Sequence, residues 1–273
     1  MELSAEGLRH PLAGAVSARQ QAGRYIYCVA GANEVLSLGS IGIEGREVHA
    51  VVHNDLCALV HDCVAQPYQS DDAQVATAWV LAHHQVVEAA WHRWGAVLPL
   101  TFNTIIEAGD GRSAEENLSV WLNTEYQVLR GKLDALTGKA EYGVQVSWAP
   151  SLIAGKIAET SPDMREMEEG IRSRPRGIAY MYRQRLESLL RKEMEARAAE
   201  EFKELYSRLS RCVDSIHVEK TRAVEEGRQM LLNLSCLVSL ERYPDLAAEL
   251  DRVGSREGFF VRLAGPLPPY SFC

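Results

Sequence analysis

The chain has 273 residues, of which 47% are apolar and 24% charged, with 29 Lys and Arg against 37 Asp and Glu and a net charge of −8. This is the composition of a globular protein, neither disordered nor fibrous, and its length favours two domains of ordinary size over one. The acidic balance argues against nucleic acid as a partner, because phosphate binding needs clustered Lys and Arg, and no stretch approaches the roughly 18 apolar residues that span a lipid membrane.

Residues 1–22 read as a loose N-terminal extension, its apolar run broken by Pro11, Gly14 and Ser17. "RYIYCVAG", residues 24–31, is aromatic and β-branched and closes on Gly31, which predicts a central strand. "EVHAVVHNDLCALVHD" predicts a hairpin about Asn54-Asp55, with Val48, Ala50 and Val52 facing one way and Leu56, Ala58 and Val60 repeating the pattern. From Ser70 the period changes. Val75, Trp79, Val86, Ala90 and Trp94 fall at helical spacing, after Ser70, Asp71 and Asp72 as a cap. "AVLPLTFNTII", residues 96–106, is extended, and Pro99 marks it as an edge or a bulge.

A second helix is predicted from Ser113, which forms a capping box with Glu116, through Leu118, Leu122, Leu129, Leu133 and Leu136 to a stop at Gly138. "EYGVQVSW", residues 141–148, completes the N-terminal unit, assigned to residues 23–150. Two short helices follow. Then Pro175 opens a long one running to about Ser210, roughly 50 Å at 1.5 Å per residue, able to cover a sheet or overhang it. "CVDSIHVEK", "MLLNLSCLVSL", a helix near "PDLAAELDRV" and the strand "GFFVRLAG" complete a second α+β unit, residues 151–264. Residues 265–273, "GPLPPYSFC", form a tail. Three prolines lower the entropy of holding it and Tyr270 and Phe272 give it apolar surface, so it is expected to dock on the protein's own body.

For chemistry, His84, Glu88 and His92 are spaced by four on one helical face, where a metal ligand set is conceivable; a polar outer face explains the same residues. His49, His53 and His61 read as solvated histidines on the polar face of the hairpin. The cysteines at 28, 57, 63, 212, 236 and 273 make no CxxC pair and read as reduced thiols of a cytoplasmic protein, with no zinc and no cofactor expected. The sequence holds no GxSxG, GxGxxG or phosphate loop, which favours a protein that is not an enzyme. The mixed charges of the long helix, Arg197, Glu200, Glu201 and Glu204 among them, read as a solvated face with i to i+4 pairs.

Three segments carry a resemblance. "LAHHQVVEAAWHRWGAVLPLTFNTI", "GIAYMYRQRLE" and "VRLAGPLPPYSFC" are similar in order and distance to the gas vesicle protein F/L family, GvpF/GvpL, nearly throughout the chain from Arg24. Ala82, His83, Val86, Val87 and Glu88 match the family's AHxxVVE helix, Val97, Leu98, Pro99 and Phe102 its VLPxxF strand, and Gly177, Ala179 and Tyr180 its GxAY. Gly265, Pro266, Pro268, Pro269, Tyr270 and Phe272 match the GPxPPYSF ending. The chain departs at Thr101 and Asn103, where the family commonly has Arg and Gly, and ends on Cys273 in place of Val.

The resemblance implies an α+β fold with a ferredoxin-like N-terminal α/β sandwich, a C-terminal α+β domain with a long helix on a small sheet, and a C-terminal tail. It also implies a cytoplasmic, gas-vesicle-associated accessory protein that binds the hydrophobic shell protein GvpA and other gas vesicle proteins, as chaperone or nucleation factor or as a minor component of the wall. The reading left beside it is a metal-dependent enzyme built on His84, Glu88 and His92.

Overall fold

A computed structural model describes residues 22–273; the expected N-terminal extension lies outside them except for Ala22, which opens the first strand. That strand, β1 (Ala22–Ala30), has every residue from Tyr25 to Ala30 buried, as an uncharged run must when both faces of a sheet are covered. Its neighbours are β4 (Leu56–Val64) on one side and β5 (Val97–Pro99) with β6 (Ile105–Glu107) on the other. Beyond β4 lie β3 (Val48–His53) and β2 (Ser37–Gly39), in an antiparallel sheet ordered β2-β3-β4-β1-β5. The helix α1 (Ala73–Trp94) seals one face, where Val86, Val87 and Ala90 meet Tyr25, Tyr27 and Leu59. On the other face α2 (Ala114–Thr124) and α3 (Tyr126–Leu136) bring Leu118, Leu122, Leu129 and Leu133 onto Ile26, Val29, Leu56 and Ala58.

Three local expectations change. The two-residue turn sets His53 opposite Leu56, so Val48, Ala50 and Val52 share a face with Cys57 and Leu59, while Leu56, Ala58 and Val60 point to the α2–α3 side. The 96–106 stretch is two short strands around a turn at Asn103. The helix expected from Ser113 to Gly138 breaks at Glu125 (φ −90°, ψ 3°), although its apolar face continues. The Tyr126 hydroxyl donates to Asp55 at 2.5 Å and Arg130 pairs with the same carboxylate at 3.3 Å, which ties the start of α3 to the hairpin turn. The cap of α1 is Asp72, whose side chain accepts from Gln74 N, while Ser70 accepts from Asp72 N.

The second sheet is ordered β10-β7-β9-β8, from β7 (Lys139–Trp148), β8 (Ser215–Val218), β9 (Gln229–Ser239) and β10 (Phe259–Leu267). The 141–148 strand, expected to complete the N-terminal unit, therefore belongs to the C-terminal sheet. Ala140, Tyr142, Val144, Val146 and Trp148 alternate toward α6 (Arg176–Leu209) and α7 (Tyr243–Gly254), meeting Leu205, Leu209, Leu246 and Leu250. Between β7 and β8 the chain runs through α4 (Pro150–Thr160), α5 (Pro162–Ser173) and α6, and between β9 and β10 through α7. This is the β-α-β-β-α-β succession of a ferredoxin-like unit. That pattern, expected of the N-terminal unit, is found here, whereas the N-terminal sheet carries helices on both faces.

The long helix overhangs. Its 34 residues span about 51 Å, but only the last turns, with Leu205 and Leu209 buried and Met194, Ala198 and Phe202 half-buried, rest on the sheet. Its first turns lie on α5, where the Tyr182 ring comes so close to Gly170 that a Cβ there would sit 2.7 Å from the ring. Most of its charges are solvated, with i to i+4 pairs such as Arg208–Glu204 at 3.0 Å. Glu201 is the exception: it is buried and takes Arg197 at 2.8 Å and Arg256 at 2.6 Å on one oxygen. Glu249 of α7 is likewise buried against Arg208 at 2.6 Å, so carboxylates clamp α6 to the α7–β10 corner.

Candidate interaction site

The residues singled out in the N-terminal unit and the tail meet at one place. On α1, His83 turns inward with Val86 and Val87, while Val80, Leu81 and His84 line the outer side. The β5 segment supplies buried Leu98 and Pro99, followed by Leu100, Thr101 and Phe102. Pro99 costs the sheet little because β5 is an outer strand, pairing only with β1. Leu129 and Lys132 of α3 and Tyr270 and Cys273 of the tail complete a groove of about 590 Å3.

Beneath the groove lies a polar aromatic network. The backbone amide of Asn103 donates to the Tyr25 hydroxyl at 3.2 Å, and that hydroxyl shares a hydrogen bond with His83 Nδ1 at 2.9 Å. In the second chain Ile43 N donates to the Tyr27 hydroxyl at 2.9 Å, Tyr27 shares a hydrogen bond with His61 Nδ1 at 2.7 Å, and His61 Nε2 shares one with the Tyr68 hydroxyl at 3.0 Å. Burial holds both imidazoles down to about 4, so both are neutral near pH 7, and the same burial raises the Tyr25 and Tyr27 phenols. Phe102 sets its ring edge against Tyr25 and His83, at 6.1 and 5.9 Å between centroids. His61 is thus a buried member of this network, contrary to its expected place among solvated histidines. His49 and His53 are half-buried and, one residue out of phase, face the α2–α3 side.

Asn103 explains a departure from the family pattern. Its φ of 70° lies in the left-handed region that Gly visits freely and Asn tolerates. Its side chain then closes the turn, accepting from Tyr68 N at 2.9 Å and donating to Tyr68 O at 3.1 Å.

The tail docks across both units. Gly265 has φ 123°, and a Cβ there would lie 2.8 Å from Glu141 O, so only glycine fits this bulge near the end of β10. Gly265–Pro266 is cis, Pro268 and Pro269 are buried, and Tyr270–Phe272 form a 3-10 turn. Tyr270 shares a 2.7 Å hydrogen bond with His84 Nδ1, Phe272 packs into the core beneath α2 and α3, and Ser271 donates N–H and hydroxyl to the buried carboxylate of Glu141 at 2.8 and 2.7 Å. Burial, with the nearby Cys28 and Glu88 adding to it, raises the Tyr270 phenol and keeps it protonated. The intramolecular dock expected for the tail is therefore its position in the structure.

The other expected residues lie apart. His84 is turned to Tyr270, while half-buried Glu88 faces exposed His92 at 3.8 Å; among the described residues no three His, Cys, Asp or Glu side chains gather as a metal site. Gly177, Ala179 and Tyr180 open α6, where Ala179 is buried, Tyr180 is exposed and bonds Gln184, and none reaches the groove. Sequence reasoning missed Glu141, Ser271, Tyr25, Tyr68 and Lys132. Glu141 alone gave a signal, as an acid within an apolar strand, out of phase with Tyr142 and Val144.

A family model described as gas vesicle synthesis protein GvpL/GvpF matches residues 23–273. The chain is 26% identical to gas vesicle protein L1 of Halobacterium salinarum over 92% of its length and 90% of that protein. It is 28% identical to gas vesicle protein F of a Streptomyces species over 86% of its length and 91% of that protein. The fold is similar to the crystal structure of GvpF from Anabaena sp. PCC7120, with TM-score 0.72 at 16% identity, covering 92% of this chain and 98% of that one. GvpF from Microcystis aeruginosa is similar at TM-score 0.61 and 15% identity, with the same coverage. The signature residues of α1, β5 and the tail that converge on the groove thus sit in a match spanning almost the whole chain, and the protein belongs to the GvpL/GvpF family of gas vesicle synthesis proteins.

Proposed function

We propose that this protein is an assembly accessory of the gas vesicle that binds the hydrophobic shell protein GvpA and other gas vesicle proteins, acting by binding and not by catalysis. The observation that supports this reading is the groove itself. Two segments that match the family's patterns and the tail that matches its ending build one apolar cleft, flanked by Val80 and Leu81 at 51% and 60% exposure. Exposed apolar side chains around a cleft are the surface with which one protein covers another's apolar face. A shell subunit that must repel water on its gas side carries such a face before assembly, and covering it prevents aggregation. Lys132 gives the rim one cation for a partner carboxylate.

Co-expression with GvpA, followed by affinity purification, tests the proposal. GvpA should co-purify and stay in the supernatant, and the double variant Val80→Lys, Leu81→Asp, at positions already facing solvent, should lose it while keeping the parent's circular dichroism. Failure of GvpA to co-purify with the unaltered protein would sink the reading.

A further inference from the structure

The edges of the two sheets are treated unequally. The outer strands β2, β5 and β6 have three residues each and β8 has four, the short edges that limit unplanned pairing. The outer strand β10 has nine, of which Phe259–Ala264, about 20 Å of backbone, run without interruption. It pairs with β7 alone, continuously from Phe259 opposite Trp148 to Ala264 opposite Gly143 and again at Leu267 opposite Glu141, after a register shift at the cis Gly265–Pro266 bond. Among the described residues no other backbone or side chain bonds the main chain from Phe260 to Leu267, and Arg262 to Pro266 are all exposed.

The two faces beside this edge differ in chemistry. On the α7 side, Val261 and Leu263 with Tyr243, Ala247 and Leu250 border a groove of about 620 Å3, with Asp251 and Arg228 as its charged residues. On the opposite side Arg222, Arg228 and Arg262 gather around one acid, Glu225. Arg228 pairs with Glu225 at 2.8 Å and lies over the Phe260 ring at 3.7 Å, while Arg222 and Arg262 have no ion-pair partner among the described residues. In a chain of net charge −8 this is a local basic patch.

We propose that the outer edge of β10 takes up an extended segment of a partner protein as an added strand, with alternate apolar side chains in the α7 groove and acidic side chains toward Arg222 and Arg262. Main-chain bonds along an unpaired edge supply affinity, and the two-residue alternation assigns side chains to the two unlike faces. The site uses none of the residues of the groove by the tail, so it stands whether or not GvpA binds there.

The probe is a capped peptide, Glu-Val-Glu-Ile-Glu-Val-Glu, titrated against the full chain by calorimetry, with hydrogen exchange locating the site. Expected are binding at micromolar to millimolar concentration, new protection confined to β10, and at least tenfold weaker binding by the Lys-for-Glu peptide and by one with alternate amides N-methylated. Leu263→Lys, at an exposed position, should weaken binding at least tenfold with unchanged circular dichroism, and Arg262→Glu should shift preference toward the Lys peptide. Absence of binding at millimolar peptide, equal binding of both charge types, or protection elsewhere would overturn the proposal. So would a concentration-dependent dimer abolished by Leu263→Lys, since the edge would then be occupied by a second copy.

Discussion

Replacing Ser271 by Ala tests the docking of the tail through one hydrogen bond. Glu141 is only 6% exposed, and its carboxylate accepts the Ser271 N–H at 2.8 Å and the Ser271 hydroxyl at 2.7 Å. The hydroxyl also reaches Ser235 Oγ at 3.0 Å. Ser271→Ala keeps the first bond and deletes the second, leaving one buried carboxylate oxygen short of a donor. A hydrogen bond to a charged group contributes about 1.5–3 kcal/mol. In a chain of this size each kcal/mol moves Tm by about 2–4 °C, so a fall of roughly 3–12 °C is expected in differential scanning calorimetry. Deleting residues 266–273, which also removes Tyr270 and Phe272, should lower Tm further. A Ser271→Ala midpoint within about 1 °C of the parent would refute the argument, because a seated tail cannot lose a charged hydrogen bond at so small a cost. An unchanged midpoint on tail deletion with lost GvpA binding would mean that the tail serves the partner instead.

Three further outcomes follow from the same geometry. His61 and His83 are held at about 4 against 6.5 for a free imidazole. The unfolded chain therefore takes up protons below pH 6.5 that the fold refuses until about pH 4; stability is complete above that window and falls through it with acidification, by roughly 3 kcal/mol per histidine. Urea unfolding midpoints measured from pH 7 to 4 should show that slope, and a flat profile would contradict it. Gly265→Ala forces a Cβ to 2.8 Å from Glu141 O at φ 123° and should cost at least about 2 kcal/mol, read from the shift of the urea midpoint. Glu201→Ala should cost about 2–4 kcal/mol, discounted because Arg197 and Arg256 can turn to water, and a neutral result in thermal unfolding would remove the clamp between α6 and the α7–β10 corner from the account.

The elements were legible in the sequence because their signals are local. The capping box at Ser113 and Glu116, Gly138 as a left-handed stop, and the Asn54 turn lie where the residue types demand. Assignment of β7 was a different problem, since chain order placed it after α3 and nothing within its ten residues says which sheet it joins. That is decided by β9, some ninety residues on, which offers an eleven-residue apolar partner, whereas the N-terminal sheet offers only the short β2, β5 and β6 at its edges. The histidines fail for a related reason. His49 and His61 look alike in sequence, but the two-residue turn throws them to opposite faces, and only the face under α1 carries Tyr25, Tyr27 and Tyr68 to bond a neutral imidazole.

The tail carries the same lesson furthest. Its prolines and aromatics announced that it docks, but its target lies 130 residues away at Glu141 and 186 away at His84. The only trace of that target was an acid in an apolar strand, out of phase with Tyr142 and Val144. A carboxylate placed there needs donors from somewhere, and the GPxPPYSF ending supplies them. Its glycine makes the bulge near the end of β10, and its serine delivers two donors to Glu141 while Tyr270 and Phe272 reach the first unit. The tail therefore acts as a strap between the two sheets, and Tyr270 and Cys273 line the groove only while the strap is seated.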